Sequence, residues 1–92
     1  MSVQATYKNK ELQEYYWCQD GKLHRLDRPA YIDEKNKIYV WYQDGKRHRG
    51  EGPAYIDEKY KLYRWFIHGV NKTEEITKWL DVNKIDWRNM VH

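Results

Sequence analysis

RPAYIDEKNKIYVWYQDG, running from Arg28 to Gly45, returns 24 residues later as GPAYIDEKYKLYRWFIHG, from Gly52 to Gly69. A repeat this short restricts the fold severely, because one unit cannot bury its own apolar face and only stacked neighbours build a continuous core. The same shift extends outward. Trp17, Trp41 and Trp65 fall in register, as do Tyr15, Tyr39 and Tyr63, and Gly21, Gly45 and Gly69. His24-Arg25 matches His48-Arg49, Pro29 matches Pro53, and Tyr31 to Lys35 matches Tyr55 to Lys59. The spacing reads as a single domain, 1–92, made of a degenerate half-repeat at 1–12, repeats at 13–36 and 37–60, a partial repeat at 61–72 and a helical cap at 73–92.

Within a unit the chemistry is that of a hairpin. Ile38-Tyr39-Val40-Trp41-Tyr42 is rich in β-branched and aromatic residues, which fit a pleated, half-buried surface. Asp44-Gly45 closes it, as Asp20-Gly21 does one unit earlier, and such pairs suit a type I′ turn because both central residues need positive φ. A short return follows through Lys46 to His48, then an irregular corner from Arg49 to Pro53 and a second strand from Ala54 to Asp57. Each proline is expected at a strand entrance, where a missing N–H breaks no ladder. Asp33, Glu34, Asp57 and Glu58 read as solvated hairpin tips.

The third unit departs from the pattern after Gly69. Thr73 is placed as an N-cap, with Ile76, Trp79 and Leu80 forming one apolar stripe on a short helix. Asp86 offers a second start, with Trp87 and Met90 beyond it. The expected fold is mainly β: an antiparallel β-meander of hairpin repeats of about 24 residues, closed by one or two short C-terminal α-helices.

Leu, Ile, Val and Phe supply only 17 of 92 residues, so five Trp and nine Tyr must build the core. On the expected long strands both faces carry apolar side chains. A helix of about ten residues spans roughly 15 Å and covers only part of such a sheet. One face is therefore left for a partner, for a second copy of the chain, or for curling of the sheet on itself. A meander of few strands also leaves two unpaired edges, through which a homo-oligomer could form.

Net charge is +3, and no segment is strongly basic, which argues against a dedicated nucleic-acid binder. The lone cysteine, Cys18, cannot form an internal disulfide and is expected to be buried as a small apolar residue. No signal-like stretch and no run of 18 apolar residues occurs, so the reading is a cytoplasmic protein with no membrane partner.

The pattern Trp-Tyr-x-Asp-Gly-Lys-x-His-Arg-x-x-Gly-Pro-Ala-x-Ile resembles the short W-Y-x-N-G-K-x-H-R-x-D-G-P-A repeats of small proteins from bacteriophages and large DNA viruses, loosely MORN-like. Thr73-Glu74-Glu75 with Lys78-Trp79-Leu80 is similar to the helical cap that closes such arrays. The resemblance covers roughly residues 13 to 82. The first unit differs, with Leu26-Asp27-Arg28 ahead of Pro29 where the family has Asp-Gly. The resemblance implies a repetitive β-scaffold without family-wide catalysis, and a viral accessory protein acting in the host cytoplasm.

Three kinds of site are weighed. His24 and His48, with His68 near the third turn, carry the side chain that most often binds metals, but no His-x3-His or Cys-x-x-Cys spacing completes a shell. Each His-Arg pair is instead expected to tie down its corner through Asp27, Glu51 or backbone carbonyls. No nucleophile-base arrangement or phosphate loop is visible, so neither an enzyme nor a cofactor is expected. What remains is contact chemistry: Tyr15, Trp17, Tyr39, Trp41, Tyr63 and Trp65 with Arg25, Arg47 and Arg49 are the side chains from which protein-binding hot spots are made. The leading reading is a non-enzymatic protein-binding module that inhibits or redirects a host protein. The alternative is nucleic-acid or nucleotide binding, with Lys22, His24, Arg25, Lys46, Arg47, His48 and Arg49 holding phosphates and the aromatic columns stacking bases.

Overall fold

A computed structural model describes residues 5–89 and arranges the repeats as two stacks of hairpins. In the first stack, β1 (Tyr7–Asn9), β2 (Glu14–Tyr16), β5 (Tyr31–Asp33), β6 (Ile38–Val40), β9 (Tyr55–Asp57) and β10 (Leu62–Arg64) form one antiparallel sheet in chain order. In the second, three two-stranded ribbons lie beside one another: β3 (Cys18–Gln19) with β4 (Lys22–Leu23), β7 (Tyr42–Gln43) with β8 (Lys46–Arg47), and β11 (Phe66–Ile67) with β12 (Val70–Asn71). The expected antiparallel meander is therefore present, but each long strand is cut in two.

The cut falls on the repeated tryptophan. The Trp41 N–H donates to the Ala54 carbonyl at 2.7 Å, while its own carbonyl accepts from the His48 N–H at 3.0 Å. One peptide group thus faces the next sheet strand and the other faces the ribbon's return. Trp17 does the same with Ala30 and His24. A residue bonded in both directions ends one ladder and begins another, which the alternation of apolar side chains alone did not reveal.

The turns follow local chemistry. Asp20, Asp44 and His68 have φ of 52°, 52° and 47°, and the following Gly21, Gly45 and Gly69 have 75°, 78° and 84°, the double positive φ of a type I′ turn. The turns stack: the Gly45 N–H donates to the Leu23 carbonyl and the Gly69 N–H to the Arg47 carbonyl, both at 2.8 Å.

At the sheet's own turns the acidic residues correct the expectation of solvated tips. Asp33 and Asp57 are buried. Their carboxylates accept the N–H of Asn36 and of Tyr60, each at 3.1 Å, and Asn9 accepts the Leu12 N–H in the same register. In each of these turns the side chain accepts the N–H three residues on. Cys18 is a second correction: it is exposed, because its strand leaves the sheet for a ribbon.

The core is small and concentrated toward the second unit, in Ala30, Val40, Ala54, Ile56, Trp65 and Leu80, with Pro53 fully enclosed. One α-helix, α1 (Thr73–Val82), closes the last unit, and a single 3-10 turn at Trp87–Asn89 follows it. Met90, expected to continue that second element, lies outside the described residues. Thr73 is the first helical residue rather than the N-cap, which is Lys72 without a side-chain bond. The Thr73 hydroxyl is used elsewhere: its Oγ1 accepts the Trp65 N–H at 2.9 Å. That is the acceptor which Ala30 and Ala54 carbonyls provide to Trp17 and Trp41, so one hydroxyl stands in for the strand of an absent further repeat.

This substitution is testable. Thr73→Val keeps the shape and leaves the Trp65 N–H without its acceptor, at a cost of about 1–3 kcal/mol, whereas Thr73→Ser retains it. The expected result is a lower urea midpoint at unchanged slope for the valine variant alone. Equal midpoints for all three proteins would refute the role given to the hydroxyl.

Candidate binding groove

The corner segments that link the sheet to the ribbons leave grooves along the stack. One, of about 670 Å³, lies between the first two units and is lined by Trp17, Arg25, Asp27, Arg28, Pro29, Ile32, Tyr39 and Trp41. Its floor includes Ile32 and Tyr39, from a sheet row in which Tyr15, Ile32, Tyr39, Ile56 and Tyr63 are successive cross-strand neighbours. Tyr15, Trp17, Tyr39, Trp41 and Tyr63 are all half-buried, presenting part of each ring. Trp65 is different, at 6% exposure, because the C-terminal segment covers it.

The arginines set the groove's walls. The Arg25 guanidinium lies 3.9 Å from the centre of the Trp17 ring and donates to the Pro29 carbonyl at 3.3 Å. Arg49 repeats the arrangement on Trp41, at 3.8 Å, and on the Pro53 carbonyl at 3.1 Å. A guanidinium stacked on an indole is attracted by the ring's negative face, and its in-plane N–H groups remain able to tie down the corner. Burial lowers the pKa of both guanidiniums from the ordinary value; Arg28 lowers Arg25 further, and Glu51 opposes the shift at Arg49. Arginine remains charged at neutral pH regardless.

The histidines serve the ribbons. His24 Nδ1 accepts the Asp44 N–H at 3.1 Å, and His48 Nδ1 accepts the His68 N–H at 2.9 Å, so each ring clasps the turn of the next hairpin. His48 and His68 also stack, with ring centres 4.1 Å apart. Among the described residues no three His, Cys, Asp or Glu side chains converge as a metal shell would need.

Of the residues singled out from the sequence, Arg25, Trp17, Tyr39 and Trp41 come together in the groove. Arg47 does not; it lies near the rings of Tyr55 and Phe66. Lys22 and Lys46 are exposed, with their stems running beneath Gly45 and Gly69 of the next ribbon. The seven residues considered for phosphate binding are thus divided between the corners and the ribbon stack.

Sequence reasoning missed Arg28, Pro29 and Ile32 as groove residues, and it read Trp87 only as part of a second helix. Trp87 instead lies against the last unit, with ring centres 5.6 Å from Tyr63 and 6.1 Å from Trp65. The signal was available in Asp86-Trp87-Arg88, a large aromatic flanked by charges beyond the helix.

Across the sheet the other face carries Tyr7, Tyr16 and Tyr31, whose neighbouring ring centres are 5.3 and 5.1 Å apart. The hydroxyls of Tyr16 and Tyr31 both donate to Glu14, at 3.1 and 3.0 Å. Burial raises the Tyr31 pKa well above the ordinary phenol value, with the Glu14 carboxylate adding to the shift. This cluster ties three strands together. Among the described residues no helix is long and apolar enough to cross a membrane. No protein-family model, curated protein or solved structure matches the chain.

His48 generates a pH prediction. Desolvation, and secondarily the charge of His68, lowers its pKa. A base with a depressed folded pKa contributes stability that is complete above the unfolded value of about 6.5 and is lost as pH falls through the folded value. Protonation also removes the Nδ1 acceptor. The thermal midpoint is expected to fall between pH 7.5 and pH 5, and His48→Asn, which offers an uncharged acceptor, should lessen the fall. An unchanged pH profile in that variant would contradict the assignment.

Proposed function

We propose that the chain is a non-enzymatic module that binds another protein through the groove between its first two repeats. The observation that carries this reading is the make-up of the groove: three half-exposed aromatic rings, Trp17, Tyr39 and Trp41, with Arg25 stacked on Trp17 and Arg49 on Trp41. Rigid aromatic anchors beside arginine lose little entropy on binding and give most of the energy at protein interfaces. The groove's volume also falls within the range of about 300–1,000 Å³ of sites that enclose a ligand. The resemblance of the repeats extends the proposal to an accessory protein of a virus or phage that inhibits or redirects a host component.

Phosphate recognition is supported less well. Arg25 and Arg49 already use their guanidiniums on a ring and on a carbonyl, and His24 and His48 use Nδ1 on a backbone N–H.

The test is capture of host proteins by the parent chain and by Tyr39→Ala and Arg28→Glu, each confirmed as folded by circular dichroism. Both are expected to lose the partner retained by the parent. Folded variants that keep every partner overturn the groove as the interface. A fluorescent single strand whose affinity falls at about 0.7–0.9 log units per log unit of salt for each neutralised phosphate would favour nucleic acid instead.

A further inference from the structure

The repeat supplies its own comparison. A shift of 24 residues carries the Tyr39, Trp41 and Arg28 wall of the first groove onto Tyr63, Trp65 and Gly52 of the next. This second site is filled by the chain itself. The Trp87 ring reaches within 3.4 Å of the position a Cβ on Gly52 would take, and it sits against Tyr63 and Trp65. Arg88 completes the contact. Its guanidinium lies 4.7 Å from the centres of both the Tyr63 and Trp87 rings, donates to the Tyr63 hydroxyl and approaches the Glu58 carboxylate at 3.9 Å.

We propose that the open first groove binds a tryptophan-arginine segment of a partner protein, in the pose that Trp87-Arg88 adopts on the neighbouring unit. This rests on the protein-binding reading above and names the chemistry of its ligand. The rings and the carboxylate that Trp87-Arg88 touches have counterparts one unit earlier, Tyr39 for Tyr63, Trp41 for Trp65 and Glu34 for Glu58, whereas Arg28 replaces Gly52 and the helix residues Ile76, Trp79 and Leu80, which line the same cavity as Trp87, have none. Glu34 and Glu58 hold the same place in their units, since the Glu34 N–H donates to the Gln13 carbonyl and the Glu58 N–H to the Lys37 carbonyl, both at 3.0 Å. Two strands at about 4.8 Å spacing set adjacent grooves about 10 Å apart, so they are near copies on one rigid scaffold.

The difference between the two sites is informative. Gly52 leaves room for a ring that arrives from within the chain. Arg28, exposed at the matching position, offers a guanidinium that can lie on the face of a ring arriving from outside. Burial agrees with the occupancy: Pro53, Ile56 and Trp65 are buried beneath Trp87's site, whereas Pro29, Ile32 and Trp41 are half-buried. The first groove therefore retains apolar surface of the kind that an indole covers at its copy.

The probe is the acetylated and amidated hexapeptide of residues 84–89, Lys-Ile-Asp-Trp-Arg-Asn, titrated into the full chain and followed by amide and indole shifts. Saturable shifts centred on Arg28, Tyr39 and Trp41 are expected, with affinity falling at least about tenfold when the peptide's tryptophan is alanine and severalfold when its arginine is. Glu34→Lys in the chain should weaken binding severalfold without touching the aromatic floor. In Trp87→Ala, which opens the second site, stoichiometry should rise from one peptide to two; if that variant does not fold, the parent titration decides alone. Absence of shifts at millimolar peptide, shifts confined to Tyr63 and Trp65, or indifference to the peptide's tryptophan would overturn the inference. A peptide that fails while partner capture still depends on Tyr39 overturns only the tryptophan-arginine ligand; failure of both overturns the protein-binding reading as well.

Discussion

The architecture depends on the peptide groups of the repeated tryptophans. At Trp17 and Trp41 the N–H is held by an alanine carbonyl of the following sheet strand and the carbonyl by a histidine N–H of the ribbon. A backbone group left unpaired in a partly buried position costs as much as a lost hydrogen bond, so this double attachment sets where each strand must leave the sheet. The side chain follows from the backbone. An indole at such a junction stands between the two stacks, and the arginine of its own corner covers it from the other side.

A stack built this way has ends, and the two ends differ. At the C-terminal end the Thr73 hydroxyl satisfies the last tryptophan's N–H, the helix brings Leu80 into the core, and Trp87 covers Trp65. Repeat arrays need such closures, because a terminal unit otherwise exposes the surface that its neighbour would have covered. The closure here uses indole and guanidinium, the same groups that line the interior of the array. That economy is what makes the cap the template for the ligand proposed for the uncapped groove.

The site and the scaffold are consequently built from the same residues. Arg25 and Arg49 hold corners, His24 and His48 clasp turns, and the tyrosine row is both sheet and groove floor. Groups committed to scaffold hydrogen bonds are poor candidates for reactive chemistry but good ones for rigid contact. Pre-ordered rings and a fixed cation keep the entropic cost of association low.

The amino-acid sequence by itself determined the period, the hairpin content, the type I′ turns and the identity of the aromatic columns, because those rest on local propensities and on the arithmetic of a 24-residue shift. It misassigned Asp33, Asp57, Thr73 and Cys18 because each is placed by packing: the two aspartates bond locally but lie between paired strands of the sheet, Thr73 meets the N–H of Trp65, and Cys18 follows its strand out of the sheet. A polar residue near a turn reads as solvated until the turn is known to be stacked on another, and a threonine before a helix reads as a cap until a backbone N–H is found aimed at it. The groove was half legible. Trp17, Tyr39, Trp41 and Arg25 stood out by repetition, whereas Arg28 and Trp87 became visible only once tertiary packing placed one indole on the last unit and left the matching surface open. Which of two related surfaces is covered is decided by where the chain's remaining segment reaches, a matter of three-dimensional geometry that no periodic pattern encodes.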